Sequence, residues 1–506
     1  MELKRIFFIV FAVFILILVS CAKISNKDSD NYKCPDCNVI LISITNVGAE
    51  HLGTYGYFRN TSPNIDEFAK ESIVFENAFS PASWTLPTGT SLFTSLYPYT
   101  HGVMDRLKGL KLNPNATTLI DILKSNGYKT AIFSSGFDYR TVFGLTDRFD
   151  VIEISDKDPI VKHSGGEFFY DDSYRITVNG PKAIEWVKKN RDNKFFLFLQ
   201  GYDAHCPFNP PEPYNSLFWH SSYPNNSQIL SNECVRGYKA EDSDKYFAYY
   251  PKKAREVYSD TALELSEESI QYMESQYDGE ISYVDNFLGE FFDSIEKEGI
   301  LENTIVIILS EHGEMFAKYG RFGRAGTIRG TLFDDVIHIP LIIKHPKLSP
   351  KRVHNLVQII DIMPTILDFL NIPIIEEAQG KSLVPLIVEN KTVNNFVFAG
   401  SNYGRLNFDI YSVLSVNEIV RDKDWKLMHE ISYLENGTII DEYNLFKIDE
   451  SGEEPEVPLT EQDAIFKRFK KLLSDWRASV TPDDTAIATT NVSEEFLETA
   501  RKLGYW

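Results

Sequence analysis

The chain has 506 residues, 43% of them hydrophobic, and a formal net charge of −21. That length and apolar content suit one large α/β domain with a smaller one appended, not a fibrous or disordered protein. The acidity argues against a nucleic-acid partner, whose phosphates are held by Lys and Arg. A small local anion site stays open, because net charge governs solubility and association rather than a site.

At the N-terminus, Lys4 and Arg5 precede an apolar run from Ile6 to Val19. This is shorter than the roughly 20 residues a spanning helix needs, and it has the form of a secretory signal. Its end, Leu18-Val19-Ser20-Cys21, resembles a bacterial lipobox. The resemblance implies a signal peptide over residues 1–20, a lipid on Cys21 and a tether over 21–37. The protein is then expected outside the cytoplasm, anchored by lipid to a membrane of the bacterial cell envelope. An uncleaved signal anchor is the alternative. In an oxidising compartment the remaining cysteines are expected to pair as Cys34–Cys37 and Cys206–Cys234. A zinc site at Cys34-Pro35-Asp36-Cys37 is the rival for the first pair, but no second close ligand pair follows it.

Val39 to Ile44 (VILISI) is a short β-branched apolar run, the pattern of a strand buried on both faces of a parallel sheet. Open α/β sheets bind ligands at the carboxyl ends of such strands. This one ends on Thr45 and Asn46. A helix follows from Ser62-Pro63 with Ile65, Phe68 and Ala69 on one face, then a strand around Ile73 to Phe75.

Ser83 to Val103 reads SWTLPTGTSLFTSLYPYTHGV. A hydroxyl beside a Pro turn that opens a helix is held rigidly, and the unpaired first-turn amides face any anion beside it. An ordinary capped helix is the plainer alternative. The segment resembles the signature of the sulfatase branch of the alkaline-phosphatase superfamily. By that resemblance Thr85 is the nucleophile, while Gly89 stands where an Arg usually follows. The family's first strand delivers one or two Asp to a divalent metal, and Thr45 and Asn46 hold those places here.

Further along, Thr118 to Leu123 reads as a helix ending at Asn126-Gly127, and Thr130 to Ser134 as a strand. Ser135 and Phe137 stand where the family often has a Lys and a His. Pro181 to Asn190 reads as a helix. Phe195 to Leu199 is a second central strand, followed by Asp203-Ala204-His205, which resembles the family's Asp-x-His turn and makes His205 a candidate for the leaving group. Residues 207–260 read as an insertion over the pocket.

Apolar residues from Ile270 to Ile295 recur at helical spacing behind a Ser266 cap. Thr304 to Leu309 is the next buried strand and delivers Glu311 and His312, which match the family's last two metal ligands in kind. Arg324 and Arg329 lie in a Gly-rich basic stretch, and the resemblance places Arg329 where a cation holds the substrate's anionic group. Val357 to Leu370 reads as the helix closing the large domain, and alternating strands from Asn394 precede a helix over Ala464 to Trp476.

The expected fold is therefore α/β, a central mostly parallel sheet flanked by helices over 38–393, with an α+β subdomain over 394–506. The resemblance implies an ester hydrolase with metal ligands Asn46, Glu311 and His312 holding Ca²⁺, Mg²⁺, Mn²⁺ or Zn²⁺ weakly. Its expected partner is a sulfated or phosphorylated small molecule, glycan or lipid head group. Thr85 carries a methyl on its carbinol carbon and cannot become the formylglycine aldehyde of sulfatases, so phosphoesters are expected over sulfate esters. The alternative is a catalytically degenerate relative that binds an anionic glycan.

Overall fold

The computed structural model describes residues 31–104, 110–154, 174–232, 263–324, 332–403, 414–433 and 438–449, with shorter stretches at 234, 236–239, 246–249, 452–454, 457, 463–480 and 487–489. The lipidation candidate Cys21, its signal segment and Arg329 lie outside the described residues. No helix among them is long and apolar enough to cross a membrane.

The frame is a nine-stranded sheet. Its strands are β1 (Asn38–Ile44), β2 (Ile73–Phe79), β3 (Lys129–Ser134), β4 (Val151–Ile154), β5 (Phe195–Gly201), β6 (Thr304–Leu309), β7 (His338–Ile339), β8 (Leu341–Lys344) and β9 (Lys351–Gln358). The order is β7-β2-β8-β6-β1-β5-β3-β4, with β9 also paired to β2. β1 sits between β6 and β5, parallel to both.

Every residue of β1 is buried. Val39 and Leu41 enter the core on one face, while Ile40, Ile42 and Ile44 enter the core on the other. The period of two in a pleated strand thus feeds two helical layers at once. One layer includes the helices Thr85–Thr94 (α2) and Ile362–Phe369 (α6). The opposite layer includes Pro63–Lys70 (α1), Ile176–Asn190 (α4) and the 31-residue Glu267–Lys297 (α5). Leu119–Ser125 (α3) carries a capping box from Thr118 and Asp121.

Two expectations need correction. The helix read over 181–190 begins at Ile176, because the Asp203 carboxylate accepts the Ile176 amide at 3.0 Å and supplies a start signal distant in sequence. Val357 and Gln358 finish β9, a 3-10 turn follows over Ile359–Asp361, and the α-helix begins at Ile362. The sheet is mostly parallel, as expected, with β8 running antiparallel to β6 and β2 at one side.

The insertion contributes strands Arg236–Lys239 and Tyr246–Tyr249, which join Leu263–Leu265 and Arg321–Phe322 in an antiparallel sheet. Both cysteine pairs are disulfides, Cys34–Cys37 and Cys206–Cys234. The four strands Val397–Tyr403, Leu414–Arg421, Trp425–Tyr433 and Ile439–Lys447 form the C-terminal antiparallel sheet, covered by the helix Ala464–Ser479. This sheet shares cores with the large domain: Ile419, Met428 and Phe446 pack with Phe79, Val336 and Ile337. A buried ionic group also joins them, in which Asp334 takes Lys426 at 3.0 Å and Arg421 at 2.7 Å.

Candidate active site at the ends of β1 and β6

Ligand-binding loops sit where central parallel strands end, and here two neighbours end together. After β1 the chain turns sharply at Asn46, whose φ of 72° is left-handed, a conformation Asn tolerates better than most side chains. The turn is pinned from three directions. Tyr277 on α5 donates to the Asn46 carbonyl at 2.7 Å, Ser310 Oγ accepts the Val47 amide at 3.0 Å, and Asn46 Nδ2 donates to the Ala204 carbonyl at 2.8 Å. The loops after β1, β5 and β6 therefore meet at one residue.

α2 points its first turn into this meeting point. Its cap residue Trp84 has no side-chain capping bond, so the first-turn amides have no side-chain acceptor at the cap. Thr85 is buried, and its Oγ1 lies 3.1 Å from His312 Nε2. His312 Nδ1 lies 3.0 Å from the Gly313 carbonyl, an acceptor only, so that nitrogen carries a proton. Nε2 of the neutral ring is then the lone-pair nitrogen, and the Thr85 hydroxyl donates to it. A hydroxyl aimed at an oriented imidazole is the arrangement of an activated nucleophile.

Glu311 sits beside this pair, fully buried. Its Oε1 accepts Tyr139 Oη at 3.1 Å and Gln200 Nε2 at 3.0 Å, and the same Gln200 nitrogen donates to Thr45 Oγ1 at 2.7 Å. Burial pushes the Glu311 carboxyl up, and the hydroxyls of Ser43, Thr45 and Tyr139 offset this only in part. Tyr139 explains Gly89. A Cβ on residue 89 would lie 2.6 Å from the Tyr139 hydroxyl, so the two positions compete for one space. Ser135 and Phe137 supply no cation: Ser135 Oγ accepts from Asn179 at 3.0 Å, and Phe137 is core.

Arg324 closes the opposite side. It follows the strand Arg321–Phe322, which the insertion pairs at Tyr238 and Gly237, and the Gly323 amide bonds the Met315 carbonyl at 2.8 Å. Its Nε donates to Asn46 Oδ1, and Glu314 lies 3.5 Å from the guanidinium and accepts Asn46 Nδ2 at 3.1 Å. Arg324 is 5% exposed, yet its Nη2 makes no hydrogen bond to any of the described residues. His205 lies one residue beyond Ala204, stacked on Tyr202 at 4.5 Å between ring centroids, with Nδ1 on the Cys206 carbonyl at 2.7 Å.

The structure thus bonds Thr85 to His312, Asn46 to Arg324 and Glu314, and Glu311 to Tyr139 and Gln200, with His205 held next to Ala204, to which Asn46 donates. It adds Tyr139, Gln200 and Glu314, which sequence reasoning missed. Gly89 was the signal for Tyr139, since an emptied position in a packed site implies a new occupant.

The donor set fits a divalent cation poorly. A hard ion needs several oxygens, mostly carboxylate. Here Asn46 Oδ1 accepts a guanidinium, Thr45 Oγ1 accepts Gln200, and the Glu311 carboxylate accepts Tyr139 and Gln200. Among the described residues the one cluster of three ligand-type groups is His205, Cys206 and Cys234, and its sulfurs are joined in a disulfide. The expectation that Asn46, Glu311 and His312 form a metal centre is therefore not supported by their bonding.

Residues 37–372 match the sulfatase family model, and residues 329–477 match the C-terminal model of N-sulphoglucosamine sulphohydrolase. The chain is 22% identical over 470 residues to N-acetylglucosamine-6-O-sulfatase of Bacteroides thetaiotaomicron, covering 82% of this chain and 81% of that one. It is 26% identical over 354 residues to arylsulfatase K of Rattus norvegicus, covering 66% of this chain and 60% of the relative's length. Among solved structures, a phosphonate monoester hydrolase of Agrobacterium radiobacter superposes with a TM-score of 0.66 at 18% identity, covering 90% of this chain and 100% of that one. A second, bound to its substrate D-glucosamine-2-N,6-O-disulfate, gives 0.62 at 17% identity, covering 88% of this chain and 98% of the other.

Proposed function

The chain belongs to the sulfatase family, and on that premise we propose that it is an ester hydrolase using Thr85 as nucleophile, with phosphoesters or phosphonate esters favoured over sulfate esters. The observation that carries this is the 3.1 Å contact between Thr85 Oγ1 and His312 Nε2 at the start of α2. The Thr85 oxygen attacks phosphorus as its proton passes to Nε2, and the Gly313 carbonyl keeps Nδ1 protonated throughout. The ester P–O bond breaks, and the departing oxygen takes the Nε2 proton of a protonated His205, whose Nδ1 faces the Cys206 carbonyl. Water then attacks the phosphothreonine and gives its proton to the now neutral His205, while the Thr85 oxygen recovers its proton from His312 as phosphate leaves. The α2 amides and the Arg324 guanidinium face the charge that develops on the non-bridging oxygens.

Sulfatases make an aldehyde from Cys or Ser, and oxidation of the Thr85 carbinol would give a ketone instead. This supports the preference for phosphorus. Relatives acting on sulfated sugars support an anionic sugar as the physiological ligand. The cell-envelope lipid anchor at Cys21 is part of the same proposal, and Cys21→Ala should move the protein from the membrane fraction to the soluble one.

Aryl phosphate, aryl phosphodiester, aryl phosphonate and aryl sulfate are the test substrates. Phosphorus-ester turnover lost in Thr85→Ala supports the reading, and turnover unchanged in that variant ends it. The side chains at Thr45 and Asn46 favour a second reading, an anionic-glycan binder without turnover. That reading predicts glycan binding with no hydrolysis of any ester.

A further inference from the structure

We propose that Arg324 stands in the place of the divalent cation on which members of this family generally depend, so that its guanidinium draws the ligand's anionic oxygens toward Thr85 without a metal ion. This rests on the ester-hydrolase reading above and concerns the same site. Three observations lead to it. Arg324 Nε bonds Asn46 Oδ1, on the residue that the family resemblance assigns to a metal ligand. A carbonyl oxygen holding a guanidinium is lost to an ion, and a divalent ion placed next to that guanidinium is repelled. Arg324 is also 5% exposed with Nη2 unbonded among the described residues, a costly state for a buried charged donor and one that a ligand oxygen relieves.

The surrounding groups agree. Glu314 at 3.5 Å compensates the guanidinium before ligand arrives, while Glu311 is held by neutral donors from Tyr139 and Gln200. A guanidinium is a planar fork with donors to spare, suited to two oxygens of a phosphoryl group. Its backbone is fixed by the insertion: Phe322 pairs with Gly237 in the small antiparallel sheet, two residues before Arg324. The insertion therefore has a specific task, which is to deliver a cation that comes with the polypeptide.

The experiment uses the purified protein, stripped with EDTA, and inorganic phosphate as the probe. Phosphate affinity by calorimetry and the thermal midpoint are measured with and without Ca²⁺, Mg²⁺, Mn²⁺ and Zn²⁺. Both should be unchanged by EDTA and by each ion. Arg324→Ala should weaken phosphate binding by at least about tenfold, the scale of losing charge-assisted hydrogen bonds. Thr45→Asp/Asn46→Asp/Arg324→Ala should acquire a Ca²⁺-dependent rise in midpoint that the wild type lacks. An EDTA-induced loss of phosphate affinity, restored by an ion, overturns the proposal, as does undiminished binding in Arg324→Ala. If that variant fails to fold, the wild-type EDTA series decides alone. Metal-independent phosphate binding in a protein without turnover keeps this proposal and removes the hydrolase; turnover that requires a cation does the reverse.

Discussion

The Thr85 hydroxyl donates to His312 Nε2 across 3.1 Å, and the opposite ring nitrogen of His312 is fixed by the Gly313 carbonyl. Thr85→Ala should therefore abolish phosphorus-ester hydrolysis, while Thr85→Ser, which keeps the oxygen and its acceptor, should retain measurable activity. His312→Ala should lower kcat by about 10²–10⁴-fold, the usual worth of a positioned general base. Steady-state kinetics on an aryl phosphodiester checks all three variants.

Gly89 and Tyr139 share one space. A Cβ at 89 would meet Tyr139 Oη at 2.6 Å and Cζ at 3.0 Å. Gly89→Ala should cost about 1–3 kcal/mol, the range for overpacking a closed core. The cost should largely vanish on a Tyr139→Ala background, because the clash is then gone. Denaturant unfolding of the double-mutant cycle reads this as a coupling energy.

His101 and Glu50 give opposite pH dependences. Burial pushes His101 down to about 3, with Nε2 near the Pro87 carbonyl and Nδ1 accepting the Val103 amide, each at 3.1 Å. Between about 6.5 and 3 the unfolded chain holds the proton and the folded chain does not. Stability should then fall on acidification, by up to ~1.4 kcal/mol per pH unit from this residue. Burial and then the Asp335 charge raise Glu50 to about 8. The folded chain holds that proton between about 4.5 and 8, so its contribution is lost as pH rises. His101→Gln should flatten the acid limb and Glu50→Gln the alkaline one in unfolding free energies measured across pH.

Lys426 is fully buried against Asp334 at 3.0 Å and Glu454 at 2.8 Å. Lys426→Met should destabilise by about 3–5 kcal/mol, because it strands buried carboxylates. Lys426→Met combined with Glu454→Gln should recover part of that loss in equilibrium unfolding.

The sheet was legible in the sequence wherever a strand is buried on both faces, since VILISI, FFLFL and TIVIIL admit few other readings. The positions of Thr85, Glu311 and His312 were legible from the strand ends and the helix signature. The start of α4 was not, because Asp203 caps it from a distant loop. Nor were Tyr139 and Gln200 as partners of Glu311, since they come from segments far apart in the sequence, one of them the end of β5. The bonding of Asn46 to Arg324 was also hidden, because the insertion sets the approach of that side chain.

Asp334 opens a short helix in the large domain, yet its cations, Arg421 and Lys426, both come from the C-terminal sheet. A chain cut before Val397 would keep a sunken negative charge and lose both of the cations that pair with it. Asp335, next along, ion-pairs with Lys318 at 2.7 Å, on the stretch between Glu314 and Arg324. Truncation would thus reach the segment that carries Glu314 and Arg324 through two adjacent aspartates, and the last hundred or so residues are better regarded as a buttress of the large domain than as a module beside it.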